Sequence, residues 1–235
     1  MAYSETGVII KSLIMRVKEQ TYMLEIWGRR TSSNVQAVMW TIGEIGLNYE
    51  RYDVGHKYGG NNTPEFLAMN PNGLVPVMRD GSDSQPVFES AAICRYLASR
   101  YGCEAFWPQT PALRAQIDKW AEWAKSSVAP AFTKPIFWQA VRVPEQERDA
   151  AKLAQSVEVF SRLLSIAEAQ LKAHPYLASD TFTLADIMLG HLLYRYFTID
   201  IERPPPPLVA DYYKRLCERP AYREHVMVSY EELRA

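Results

Sequence analysis

Strand signals stop near Pro108: before it, extended and helical stretches alternate, and from Pro111 onward every apolar periodicity is helical. That switch predicts an α/β unit followed by an all-α one. Tyr22 to Trp27 alternates in the manner of a strand, with Leu24 and Ile26 on one face. After the loop Gly28 to Ser33, the residues Val35, Val38, Met39, Ile42 and Ile45 recur at helical spacing until Gly46 stops them. Tyr49 to Val54 is a second strand, and strand, helix, strand predicts a parallel pair. Gly55 to Asn62 is a polar loop, and Thr63-Pro64-Glu65 opens a short helix that Asn70-Pro71-Asn72-Gly73 must end. Leu74 to Met78 follows as an apolar strand, then an Asp80-Gly81 turn and the strand Val87-Phe88. From Ser90, the residues Ile93, Tyr96, Leu97 and Tyr101 form one face of a helix ending near Gly102. The order β-α-β-α-β-β-α predicts a four-stranded mixed sheet flanked by helices.

Pro76 breaks a local rule, since proline has no N–H to give to a ladder. A broken rule inside an apolar strand points to a backbone group kept for another partner. In the second half, Ala112 to Ala129 is helical, and Pro130 and Pro135 are expected to kink or end that helix. Leu153, Val157, Phe160, Leu164, Ala167 and Leu171 make a buried stripe. Thr183 and Asp186 fit a capping box, opening a helix that carries Ile187, Met188, His191 and Leu192. The prolines from Pro204 to Pro207 interrupt the chain before a final helix to about Cys217. The predicted organisation is an extension over 1–21, an α/β domain over 22–103, a linker over 104–110 and an all-α domain over 111–235.

A net charge of −1 carries no basic footprint for nucleic acid. No apolar run approaches the roughly 20 residues that span a bilayer. Cys94, Cys103 and Cys217 form no zinc-like spacing and suit a reducing cytosol, and the four histidines form no metal-binding pair. The first twenty residues fit neither a signal peptide nor a transit peptide, because Lys11 interrupts the apolar stretch and Glu5 and Glu19 add acid.

Two helix starts carry groups able to hold anions: Thr31-Ser32-Ser33-Asn34, and Glu89-Ser90. Each also reads as an ordinary cap. Glu89 could instead pair with an amine while Ser90 and its amide take a neighbouring carboxylate, which together would recognise an amino-acid head group.

The stretches RRTSSNVQAVMW, PEFLAMNPNGLVPVMRDG, FESAAICRYLASRYG and TFTLADIMLG, in this order and spacing, resemble the cytosolic glutathione S-transferases, of the serine-type, theta-, phi- or nu-like pattern. The resemblance runs from Met23 over nearly the whole remaining chain. It implies a thioredoxin-like N-terminal domain that binds glutathione and an all-α domain that covers the electrophile site. It places the family's Glu/Ser pair for the γ-glutamyl group on Glu89 and Ser90, and its cis-proline on Pro76. The Val75 backbone would then pair with the cysteinyl part of the tripeptide. The hydroxyl that activates the thiol falls on Ser32, with Ser33 as the alternative, and Asn34 matches an amide used by nu-like members. Lys57 and Asn61 would add polar contacts, although Lys57 also reads as a plain solvated lysine.

Trp123, Phe132, Phe137 and Trp138 are candidates for the electrophile site, or else core aromatics. Asp186 is implied to be structural. No cysteine or tyrosine stands at the catalytic turn, and Asn34 occupies the place of a zeta-like cysteine, which disfavours those classes. The implied activity is conjugation of glutathione, a co-substrate, to a small hydrophobic electrophile by a cytoplasmic homodimer, with no tightly bound cofactor, metal, nucleic acid or membrane partner. Glutathione-dependent peroxidase or disulfide-reductase activity, or ligand binding without turnover, are the alternatives.

Overall fold

The computed structural model describes residues 23–81, 83–204 and 206–235; the expected extension over 1–21 lies outside them. The described residues divide into two compact units, each assembled from separate parts of the chain. The first comprises residues 23–29 and 46–89, and the second residues 30–45 and 90–235.

The first unit holds a four-stranded sheet of β1 (Leu24–Trp27), β2 (Tyr49–Tyr52), β3 (Val77–Asp80) and β4 (Val87–Phe88) in the order β2-β1-β3-β4. β1 and β2 are parallel with Leu24 opposite Tyr49, as a strand-helix-strand unit requires. β3 runs antiparallel to β1, with Ile26 opposite Met78, and β4 antiparallel to β3, with Val77 opposite Phe88. Alternate side chains of β1, Leu24 and Ile26, are buried, as are Val77 and Met78.

Two sequence expectations shift here. The strand placed at Leu74–Met78 begins only at Val77, so Pro76 lies just before the ladder rather than inside it. The ladder starts where the chain first has an N–H to give, and no sheet rule is broken. The two-residue turn at Asp80-Gly81 is a longer loop, because Ser84 folds back: its hydroxyl accepts from the Asp80 N–H at 2.8 Å and donates to the Gly81 carbonyl at 3.0 Å.

The second unit is helical. It contains α1 (Ser33–Ile45) and α3 (Ser90–Tyr101), whereas the short α2 (Pro64–Met69) belongs to the first unit. In α2, the Thr63 hydroxyl accepts from the Phe66 N–H at 3.3 Å. Asn70 then turns the chain, with Nδ2 donating to the Leu74 carbonyl and Oδ1 accepting from the Asn72 N–H.

From Pro111 the chain stays helical as far as Val141. α4 (Pro111–Trp123) widens into a π turn at Ala124–Val128, α5 (Ala129–Phe132) into a second at Thr133–Trp138, and α6 (Gln139–Val141) closes the run. Pro130 and Pro135 were expected to end or kink this helix, yet neither ends it. The widened turns absorb the missing N–H and the ring's clash with the preceding turn. α7 (Ala150–Leu171) buries Val157, Phe160, Leu164, Ala167 and Leu171, while Leu153 stays half-buried. α8 (Leu184–Thr198) is apolar almost all round and packs against α1, α3 and α4, and α9 (Pro207–Cys217) and α10 (Pro220–His225) complete the unit.

Asp186 anchors the start of α8. Fully buried, it accepts from the Leu177 and Thr183 N–H groups and from the Tyr212 hydroxyl, at 2.9, 2.8 and 2.8 Å. Burial raises its carboxyl above the usual range, and these hydrogen bonds oppose the rise.

Candidate active site

Ser32 immediately precedes α1, and its carbonyl accepts the Gln36 N–H at 2.9 Å. The helix start therefore leaves its first N–H groups without intrahelical partners at this turn. The turn is braced from three sides. The buried Arg195 of α8 donates to the Thr31 carbonyl at 2.7 Å while its guanidinium stacks 4.4 Å from the centre of the Phe137 ring. The Thr31 hydroxyl donates to the Glu232 carboxylate near the C-terminal end, and Arg30 donates to the Glu224 carbonyl at 2.9 Å. Thr31 and Ser32 are buried by this framework, and Ser33 and Asn34 stay half-buried.

The second helix start meets the first. The Ser90 hydroxyl donates to Asn34 Oδ1 at 3.3 Å across 56 residues of chain. Lys125, on the first π turn, joins both: its Nζ donates to Asn34 Oδ1 at 3.0 Å and to Ser90 Oγ at 2.9 Å. Around this cluster, burial pushes the Cys94 thiol up to about 12. Burial, assisted by the Lys125 charge, holds His191 down to about 3, so its ring is neutral and its Nδ1–H donates to the Ile187 carbonyl at 3.0 Å. Positive charge here is carried by Lys125 and Arg195.

In the first unit, the Val75–Pro76 peptide is cis and stands directly before β3. Glu89 sits between β4 and α3 with φ 69°, a left-handed backbone that a non-glycine residue rarely adopts. Lys57 lies on the exposed 3-10 turn His56–Tyr58, its ammonium 5.2 Å from the Tyr58 ring centre. Asn61 is committed internally, its Nδ2 donating to the Gly73 carbonyl at 2.8 Å.

The aromatic candidates separate. Phe132 and Phe137 are each 1% exposed, within an aromatic cluster that includes Phe160, Tyr196 and Tyr230. Trp123 is half-buried beside Trp120, and Trp138 keeps 36% exposure between the cations of Lys134 and Arg142. The sequence reading missed Lys125, Arg195 and Glu232. Arg195 had a visible signal, a charge within the apolar run of α8. Lys125 had none, since a lysine on an amphipathic helix is ordinary.

The Glutathione S-transferase, N-terminal domain family model matches residues 23–99, and the Glutathione S-transferase, C-terminal domain model matches residues 125–220. The chain is 38% identical over 206 residues to glutathione S-transferase GstB of Escherichia coli, covering 88% of this chain and 99% of that one. It is 34% identical over 213 residues to glutathione S-transferase 3 of Zea mays, covering 86% and 93%. A theta class glutathione S-transferase of Xanthomonas axonopodis pv. citri, solved with glutathione bound, matches with a TM-score of 0.83 and 44% identity, covering 88% of this chain and 99% of that one. The architecture is accordingly a thioredoxin-like α/β domain followed by a helical domain. The chain belongs to the glutathione S-transferase family, and it is an enzyme of that activity.

Proposed function

We propose that the protein binds glutathione as its co-substrate, activates the thiol at the start of α1, and transfers the resulting thiolate to a small hydrophobic electrophile. Residues 22–103 form the glutathione-binding domain in this reading, 104–110 the linker and 111–235 the cover over the electrophile. Glu89 takes the γ-glutamyl amine, Ser90 its carboxylate, and the Val75 backbone beside Pro76 the cysteinyl part. Lys57 contributes a polar contact, and Trp123 and Trp138 contribute apolar surface for the electrophile. The active form is a homodimer in the cytoplasm. No helix among the described residues is long and apolar enough to cross a membrane.

The observation that carries this reading is the hydrogen bond from Ser90 to Asn34. It brings the two helix starts that the sequence singles out into one polar cluster. A free thiol titrates near ~8.5, so only a few per cent is thiolate at neutral pH. A hydroxyl from Ser32, reinforced by the unpaired N–H groups of the helix start, stabilises the anion. The sulfur loses its proton to solvent, keeps the electron pair and attacks the electrophilic carbon, whose leaving group departs with its own bonding pair.

The test is glutathione-dependent turnover of an aryl halide, with a hydroperoxide in parallel. Ser32→Ala should lower kcat by about 10- to 100-fold, the worth of one hydrogen bond to a charged group, and leave the KM for glutathione nearly unchanged. No turnover of either substrate, together with no glutathione-induced rise in melting temperature, overturns the reading. Turnover confined to the hydroperoxide replaces conjugation with peroxidase chemistry.

A further inference from the structure

Lys125 occupies an unusual place for a surface-type residue. Its ammonium lies between the first residues of α1 and of α3, touching Asn34 Oδ1 at 3.0 Å and Ser90 Oγ at 2.9 Å. Both helix starts carry the positive end of a helix dipole, so the lysine adds to a field that favours a bound anion. It sits on the π turn Ala124–Val128, a distortion of the helix found often at functional positions.

The chemistry of the contact also sets the orientation of the amide. Lysine has only donors, so the atom of Asn34 that faces it must be the carbonyl oxygen, and the Ser90 hydroxyl donates to that same oxygen. This leaves Nδ2 as the donating end of Asn34, turned away from the lysine at the start of α1. Without Lys125, nothing in this contact would distinguish the two ends of the amide.

Building on the proposed glutathione site, we infer that Lys125 is a positioning residue for thiol activation, holding Asn34 as a hydrogen-bond donor to the glutathione sulfur and raising the thiolate fraction through its charge. The S–H bond breaks with the electron pair staying on sulfur, and the proton passes to solvent. The Lys125 charge is felt by Cys94 and His191 on the helices packed around it. On α3, Cys94 is held neutral by burial, and Arg95 is paired with Asp118 and Glu122 at 2.7 and 2.5 Å. On α8, His191 is neutral and Arg195 is directed at the Thr31 carbonyl.

The experiment titrates the thiol of bound glutathione by its thiolate ultraviolet absorbance in the wild type, Lys125→Met and Lys125→Arg, alongside the pH profile of kcat/KM. Losing a nearby opposite charge should move the bound thiol up by about one pH unit in Lys125→Met, tenfold less thiolate below it. Lys125→Arg should recover most of that shift. If Lys125→Met proves unstable, Lys125→Gln, neutral and still a donor, should show a smaller rise in the same direction, because it loses the charge and keeps the hydrogen bond to Asn34. An unmoved thiol titration in a folded neutral variant overturns the inference, even if the KM for glutathione rises, because Lys125 would then only anchor a carboxylate. A wild type that binds no glutathione overturns the proposed function itself, and this inference with it.

Discussion

At the scale of single residues, the buried polar groups of the helical unit define how stability depends on pH. His191 is 2% exposed and held down to about 3, while its unfolded counterpart titrates near ~6.5. Its folded form therefore binds a proton far less readily, and the stability this group contributes is present above its unfolded pKa and lost as pH falls toward 3. Acidification from about pH 6 to 4 should lower the unfolding free energy by up to ~1.4 kcal/mol per pH unit from this group alone. Denaturant melts of wild type and His191→Gln across that range check it, and the two slopes should differ by that amount.

Asp186 makes a sharper case. Replacing it by alanine strands the Leu177 and Thr183 N–H groups and the Tyr212 hydroxyl in a dry interior. Asp186→Ala should therefore cost about 3–5 kcal/mol in urea unfolding, without needing any contact with substrate.

Among elements, α8 packs tightly against α1 at Gly190. A Cβ at Gly190 would meet Leu216 at 2.6 Å and the Trp40 ring at 2.8 Å, and both side chains are fully buried. The Tyr222 hydroxyl donates to the Gly190 carbonyl at 3.0 Å, and Trp40 Nε1 donates to Glu44 at 2.7 Å, so these neighbours are held in place. A packed core of this kind yields little to an added methyl. Gly190→Ala should lose about 1–3 kcal/mol of stability by thermal or denaturant melting. The run from α4 to α6 behaves differently, because its two π turns let Pro130 and Pro135 stay within a helical path.

For the molecule as a whole, substrate linkage offers the broadest check. A ligand that binds only the folded chain stabilises it by RT ln(1 + [L]/Kd), about 2.7 kcal/mol at a hundredfold excess over Kd. Glutathione at that excess should raise the melting temperature of the wild type by several degrees. Glu89→Ala, lacking the proposed partner for the γ-glutamyl amine, should show a smaller rise at the same glutathione concentration. Differential scanning calorimetry with and without glutathione makes both comparisons.

The cap of α2 and the capping box of α8 were readable from local spacing, because each depends on residues a few positions apart, and the parallel β1–β2 pair followed from the order strand, helix, strand. Ser32, Asn34, Glu89 and Ser90 were likewise identifiable as helix-start groups. The sequence could not say that Ser90 and Asn34 touch, that Arg195 and Glu232 brace the turn before α1, or that Lys125 joins both helix starts. Those contacts span between 35 and 201 residues of chain, far beyond the reach of any local periodicity. Nor did it show that Phe132 and Phe137 are buried while Trp138 keeps an exposed edge, since on an aromatic-rich helix only the packing of neighbouring elements decides which ring becomes core.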